Sequence, residues 1–215
     1  MLHGLLQVWF GWVRDGGYLG IIALMAMESS ILPVPSEIVI PPAAFWASQG
    51  RMSLTGVVLA GTFGSWLGSA ISYWVSRWIG RAVILRWGKL ILITPESLDR
   101  AEHFVQRYEV GGVFFARLLP VVRHLISIPA GIARMSFGVF SLVTTLGALI
   151  WCSVLAWFGN KITAAHPDLI NDPEGLVRMV KQEGHWIVGA VLVLCALYIL
   201  VIKLTSKEKA VTAVR

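Results

Sequence analysis

The chain has 215 residues, of which 14% are charged and 56% apolar, with a formal net charge of +6, and its mean hydropathy is +0.72. Soluble domains carry about 25% charged residues, so this composition excludes a disordered chain, a disulfide-stapled secreted module and an ordinary cytosolic enzyme. The bilayer is the expected solvent, and the length suits a single membrane domain over residues 1–215.

The first segment, 1–14, contains Leu5–Val13 with Trp9, Phe10 and Trp12 and ends at Arg14-Asp15. It is too short to span and reads as an interfacial helix. It lacks the basic start and small-residue cleavage site of a signal peptide. The apolar region 17–48 follows, interrupted by Glu28, Pro33, Pro35, Glu37, Pro41 and Pro42. Proline removes a backbone donor and ends helices, and non-helical backbone survives at membrane depth only when protein or a wet cavity covers it. The simplest reading is a re-entrant hairpin that returns to its own side. Next comes a span over 52–76, since Met52–Ser76 has no formal charge over 25 residues.

Residues 77–107 hold five of the chain's basic residues before Arg107, with Glu96, Asp99 and Glu102 between them, and read as a cytoplasmic amphipathic connection. Within it, Thr94-Pro95-Glu96-Ser97 predicts a helix start. A second broken apolar region, 110–133, is interrupted by Arg117, Pro120, Arg123 and Pro129 and reads as a second re-entrant hairpin. A second span follows over 135–160, uncharged through Asn160. Residues 161–185 are close to charge balance and are expected outside the cytoplasm. A C-terminal span over 186–203 leads into a basic tail, 204–215, expected in the cytoplasm by the excess of positive charge. In this topology the first hairpin opens outside and the second inside. The basic residues flank apolar runs, which argues against a nucleic-acid surface. Cys152 and Cys195 lie in apolar stretches with no ligand spacing, so both are expected to pack as small apolar residues, with no disulfide, metal or cofactor.

Residues 51–75 and 134–158 align without gaps, with seven identities. Arg51-Met52-Ser53 matches Arg134-Met135-Ser136, and Leu59, Thr62, Gly64 and Trp74 match Leu142, Thr145, Gly147 and Trp157. Each copy reads as a broken hairpin, an Arg-Met-Ser turn and one span, with the second copy inverted relative to the first. The predicted fold is therefore all-α: an inverted repeat of re-entrant hairpin plus transmembrane helix, with an extra C-terminal transmembrane helix and interfacial amphipathic helices. Inverted repeats with broken helices are a recurrent transporter layout.

Four charges fall inside the broken regions: Glu28 and Glu37 in the first, Arg117 and Arg123 in the second. A charge at bilayer depth is costly and marks function by default, although an acid could instead pair with an arginine and pin the hairpins together. Pro120 between the arginines predicts a bend that brings both guanidiniums to one cavity, where their planar forks suit phosphate. Glu28 and Glu37 flank the hairpin tip, and either could titrate as a proton-coupling or gating group. His124, beside Arg123, is more simply a structural hydrogen-bonder. Gly64, Gly68 and Ser72 permit close helix packing. No Ser-His-Asp set, phosphate loop or dinucleotide fingerprint occurs, so the chain is not expected to be an enzyme.

These blocks resemble the DedA family, within the superfamily named after SNARE-associated Golgi and VTT-domain proteins. The matching residues are Glu28, the tip Pro33-Val34-Pro35-Ser36-Glu37, Gly80-Arg81, the block Phe115-Ala116-Arg117-Leu118-Leu119-Pro120-Val121-Val122-Arg123, then Pro129-Ala130-Gly131 and Met135. Ser36-Glu37 stands where many members have Gly-Asp. The resemblance covers about residues 15–160. It implies a bacterial inner-membrane protein that moves an anionic lipid carrier, above all undecaprenyl phosphate, in dependence on the proton motive force. Other members are linked to phospholipid movement. By position, Arg117 and Arg123 become the phosphate-binding pair and Glu28 and Glu37 the acidic pair, with His124, Ser36, Pro33, Pro35 and Pro120 in support. The implied partners are the lipid and protons, and a homodimer is left open. The competing readings are a proton-coupled carrier of a small ion or osmolyte and a non-transporting assembly factor.

Overall fold

The computed structural model describes residues 2–30, 36–87, 95–119 and 122–165, and the single residue 189. Pro33, Pro35, Pro120, the predicted C-terminal span, the tail and most of the 161–185 loop lie outside the described residues. Among those described, all regular structure is helical: α1 (Leu2–Glu28), α2 (Ser36–Ser48), α3 (Leu54–Trp87), α4 (Pro95–Leu118), α5 (Val122–Leu125), α6 (Ser127–Ile132) and α7 (Phe137–Ala165).

Helix α1 bends at Gly17, where φ is 53° and ψ −131°, a conformation that side-chain-bearing residues avoid. The bend separates an N-terminal arm from the limb 18–28. This limb and α2 form a hairpin, closed at its mouth by the Ser53 amide donating to Tyr18 Oη at 2.8 Å. Its far end is closed by the Ser36 amide donating to Glu28 Oε1 at 2.7 Å. Contrary to the expectation that proline ends helices here, α2 continues through Pro41 and Pro42. They fall about a turn inside its start, so the carbonyls they leave unbonded are those of Glu37 and Ile38, close to the tip. Likewise α4 is one helix across the boundary predicted near residues 107–110, because Gly111-Gly112 carries no proline to interrupt its backbone ladder. It begins at Pro95 as expected.

Among the described residues, two helical stretches are long and apolar enough to cross a membrane, Leu54–Gly80 with 27 residues and Phe137–Lys161 with 25. Their polarity is inside out. Leu59, Phe63, Ile71, Trp74, Trp78, Leu142, Leu146, Ile150 and Trp157 are exposed, whereas Thr62, Ser65, Ser69, Ser72, Ser76 and Thr144 are buried. An apolar outer face of this extent fits a lipid surround.

The packing crosses between halves. Helix α1 lies on α3 and α4 on α7, while α2 lies on α7 and α6 on α3. Small residues set the close approaches. A methyl group on Gly68 would overlap the Ala26 carbonyl of α1, one on Gly159 the Pro41 backbone, and one on Gly131 the Tyr73 carbonyl and Ser76 hydroxyl. The turns before the two long helices also correspond. The Gly50 amide donates to the Ala47 carbonyl at 3.0 Å and the Arg51 amide to Trp46 at 3.1 Å; the Arg134 amide donates to Gly131 and the Met135 amide to Ala130, both at 3.1 Å. Both are Schellman ends, with the left-handed position filled by Gly50 in one and by Arg134 (φ 54°) in the other. Ser53 and Ser136 then accept equivalent first helical bonds from Val57 and Phe140, at 3.0 and 2.9 Å.

Among the described residues, two larger apolar clusters result, beside a small one of Ile38 with Trp9 and Phe10. Of the larger two, one joins Ile21, Leu24, Val39 and Ile40 to Val57, Trp151 and Leu155, and the other joins Val113, Ala116 and Ile126 to Tyr73 and Phe140. Along α3 and α7 they occupy opposite ends, and the buried Ser65, Ser69 and Ser72 of α3 lie between them.

Candidate functional site

The site forms where the ends of the broken segments meet. Glu28 ends α1 and Ser36 begins α2. A carboxylate at a helix C-terminus is poorly placed for that helix, but here it faces the N-terminus of the next, and the Ser36 amide donates to it at 2.7 Å. Arg123, on the single-turn α5, forms a buried ion pair with the same Glu28 oxygen, Oε1. Its Nη2 also donates to Ser36 Oγ at 2.7 Å. Ser36 Oγ accepts a second bond, from Trp151 Nε1 of α7 at 3.2 Å. The Arg123 guanidinium stands 5.2 Å from the Trp151 ring centroid, a cation–π contact.

Arg117 occupies the last turn of α4, where the helix dipole favours a cation. It is held differently from Arg123. Its Nη1 donates to Ser69 Oγ at 2.7 Å and to the Arg123 carbonyl at 3.0 Å, and its Nη2 donates to Ser127 Oγ at 2.7 Å. The Phe140 ring lies 5.3 Å from the guanidinium carbon. Among the described residues Arg117 makes no ion pair, and its Nε, like Glu28 Oε2, has no hydrogen-bond partner. Glu28, Arg117 and Arg123 are 3%, 4% and 7% exposed, so the cluster is closed to both lipid and water in this conformation.

A hydroxyl network extends from it. Ser29 Oγ lies 2.9 Å from Ser65 Oγ, and Ser72 Oγ donates to the Ser29 carbonyl at 3.4 Å.

Of the residues singled out in the sequence, the structure brings Glu28, Ser36, Arg117 and Arg123 together. Glu37 does not join them: it is half-buried in the first turn of α2, with no hydrogen bond or ion pair among the described residues. His124 lies within α5. Ser69, Ser127 and Trp151 were missed. The serines had a signal: Ser65, Ser69, Ser72 and Ser76 recur at helical spacing on one face of an otherwise apolar span. Among the described residues there is no group of His, Cys, Asp and Glu able to hold a metal. Cys152 is a free, buried thiol.

The VTT domain family model matches residues 34–161. "Uncharacterized membrane protein YkoX" of Bacillus subtilis (strain 168) is 39% identical, covering 75% of this chain and 71% of the relative. "Undecaprenyl phosphate transporter A" of the same organism is 36% identical over 74% of this chain and 79% of the relative. The protein of that name from Staphylococcus aureus (strain NCTC 8325 / PS 47) is 32% identical over 68% of this chain and 74% of the relative. No solved structure matches the chain.

Proposed function

The chain belongs to the VTT-domain (DedA) family of membrane proteins, and from that premise we propose that it moves an anionic lipid carrier of the polyprenyl phosphate type across the bacterial inner membrane. The observation that carries this reading is the charge of the buried cluster. Among the described residues, two guanidiniums share a site with one carboxylate, and Arg117 has hydroxyl and carbonyl partners but no anion. A buried charge without a counter-charge is strongly unfavourable, and a phosphate monoester supplies the missing charge with acceptors suited to guanidinium forks. Ser69 and Ser127 hold the Arg117 fork in place before the ligand arrives.

Glu28 then acts as the resident stand-in for the phosphate on Arg123. Proton uptake by its carboxyl weakens the ion pair and frees Arg123 for the lipid, which couples transfer to protons. The fold reading that accompanies this is an inverted repeat. The limbs 18–28 and α2 form one re-entrant hairpin, and the end of α4 with α5 and α6 forms the other. Limb 18–28 is about 16 Å long at 1.5 Å per residue, half of a hydrocarbon core of roughly 30 Å, a length that supports reading Glu28 as a midplane residue. A tail left in lipid throughout needs no enclosed pathway, which suits so small a protein. The C-terminus lies in the cytoplasm.

The test is translocation of polyprenyl monophosphate in proteoliposomes under an imposed pH gradient, beside phosphatidylglycerol and soluble anions. Arg117→Gln and Arg123→Gln are each expected to reduce transfer by more than about a hundredfold, the scale of losing a charge-assisted contact pair, while helicity and monodispersity persist. Wild-type rates in either variant, or equal transport of soluble anions, overturn the proposal.

A further inference from the structure

The bend at Gly17 creates a second polar site at the mouth of the first hairpin. Arg14 and Asp15, at the end of the α1 arm, face Trp46 near the end of α2 and Arg51 in the turn, around an open cleft of about 360 Å³ that Tyr18 also lines. That volume is on the order of ten water molecules' share of liquid, enough for a hydrated phosphate. Arg14 Nε and Nη2 donate to the two Asp15 carboxylate oxygens at 2.8 and 3.1 Å. This leaves three of the five Arg14 N–H donors free and both Asp15 oxygens engaged. The Asp15 carboxyl is held below its ordinary pKa by the hydrogen bond from Arg14, so it stays ionised at neutral pH. Among the described residues Arg51 makes no ion pair, and it is exposed. Exposed Val8, Trp12 and Leu19 continue the apolar surface of α1 around this polar spot.

We infer that this cleft is a headgroup-docking site for a lipid phosphomonoester, occupied before the lipid reaches the buried arginines; the inference rests on the lipid-phosphate reading above. Arg51 and the free edge of Arg14 form the anion-binding surface. Trp46 and Tyr18 supply the amphipathic rings that suit the level of lipid headgroups. The tail runs along the exposed apolar face of α1. A phosphomonoester carries about −1.5 to −2 charge at neutral pH, more than the single negative charge of a phosphodiester headgroup, so two guanidiniums hold it more strongly than they hold a zwitterionic phospholipid. The cleft therefore favours a monoester over a zwitterionic phosphodiester.

The experiment uses the full chain in phosphatidylcholine nanodiscs and a photoactivatable polyprenyl monophosphate, with labelled peptides identified by mass spectrometry. Labelling of peptides containing residues 14–19 and 46–52 is expected, and Arg51→Glu should lower it about tenfold, the scale of one lost charge-assisted contact. Arg51→Lys should retain most of it. The corresponding polyprenol, lacking phosphate, should not label these peptides, and excess phosphatidylethanolamine should not displace the probe. Equal labelling of wild type and Arg51→Glu, labelling by the polyprenol, or displacement by phosphatidylethanolamine overturns the inference. Displacement by inorganic phosphate at the probe's own concentration overturns the lipid assignment in favour of a free anion. Arg117→Gln should abolish transfer yet leave this labelling intact. A wild-type chain that labels here but transfers nothing would sink the proposed transport and spare the cleft.

Discussion

At the scale of single residues, the cluster is an exchange among three charged groups in a setting that leaves no unpaired charge cheap. Glu28 and Arg123 pair directly, and each is almost wholly buried. Removing one partner strands the other, so Glu28→Gln and Arg123→Gln should each destabilise by about 3–5 kcal/mol. The double variant should cost much less than the sum, because no isolated charge is left. Unfolding in detergent measures the cycle, and additive losses would show that the pair contributes nothing. Glu28, Arg117 and Arg123 were legible in the sequence because charge inside an apolar run stands out against its surroundings. Which acid pairs with which arginine was not. That depends on where the chain turns at each tip, and a change of one residue there rotates a side chain by about 100° around its helix. Glu37 illustrates the point: nine residues from Glu28, it starts the return helix and makes no hydrogen bond or ion pair among the described residues. Trp151 was hidden for another reason, since a tryptophan in an apolar span ordinarily signals packing.

At the scale of elements, the two Schellman turns are one device built with different residues. Gly50 adopts φ 76° freely, while Arg134 is held at 54°, where a Cβ crowds the following carbonyl. Arg134→Gly should therefore stabilise by about 1 kcal/mol, seen as a rise in melting temperature of roughly 2–4 °C in detergent. Gly50→Arg should lower it by a similar amount. If Arg134→Gly lowers the melting temperature, the arginine side chain has a stabilising role that outweighs its backbone conformation. The Arg-Met-Ser match located both turns in the sequence, since a helix end needs local chemistry that leaves a local trace. It aligned Arg51 with Arg134, however, whereas the structure puts Gly50 at the position of Arg134. Turn one carries an extra residue before its serine, a shift that an ungapped comparison cannot register. The course of α2 through Pro41 and Pro42 was equally illegible, because the accommodation comes from Gly159 on a helix more than a hundred residues away.

At the scale of the whole molecule, the hairpins meet at their buried ends and the site is closed. A lipid headgroup can reach Arg117 only if the cluster opens, so the proposed transfer requires an alternating exposure. With Cys152 and Cys195 replaced by alanine, a single cysteine at Ser127, now fully buried, should resist a membrane-impermeant maleimide at rest. It should react when polyprenyl phosphate and a pH gradient are supplied together, with the labelling rate rising about tenfold or more. A rate unchanged by substrate would argue that the cluster never opens to solvent. The crossed packing has a further consequence for biosynthesis. Arg123 follows Glu28 by 95 positions, and at about 5–20 residues per second the ribosome delivers it roughly 5–20 s later. Trp151 and the rest of α7, on which α2 lies, emerge later still. During that interval the nascent first hairpin has an acid without its arginine and a proline-bearing helix without its cover. It must therefore wait protonated, at the bilayer surface, or in the keeping of the insertion machinery until the second half arrives.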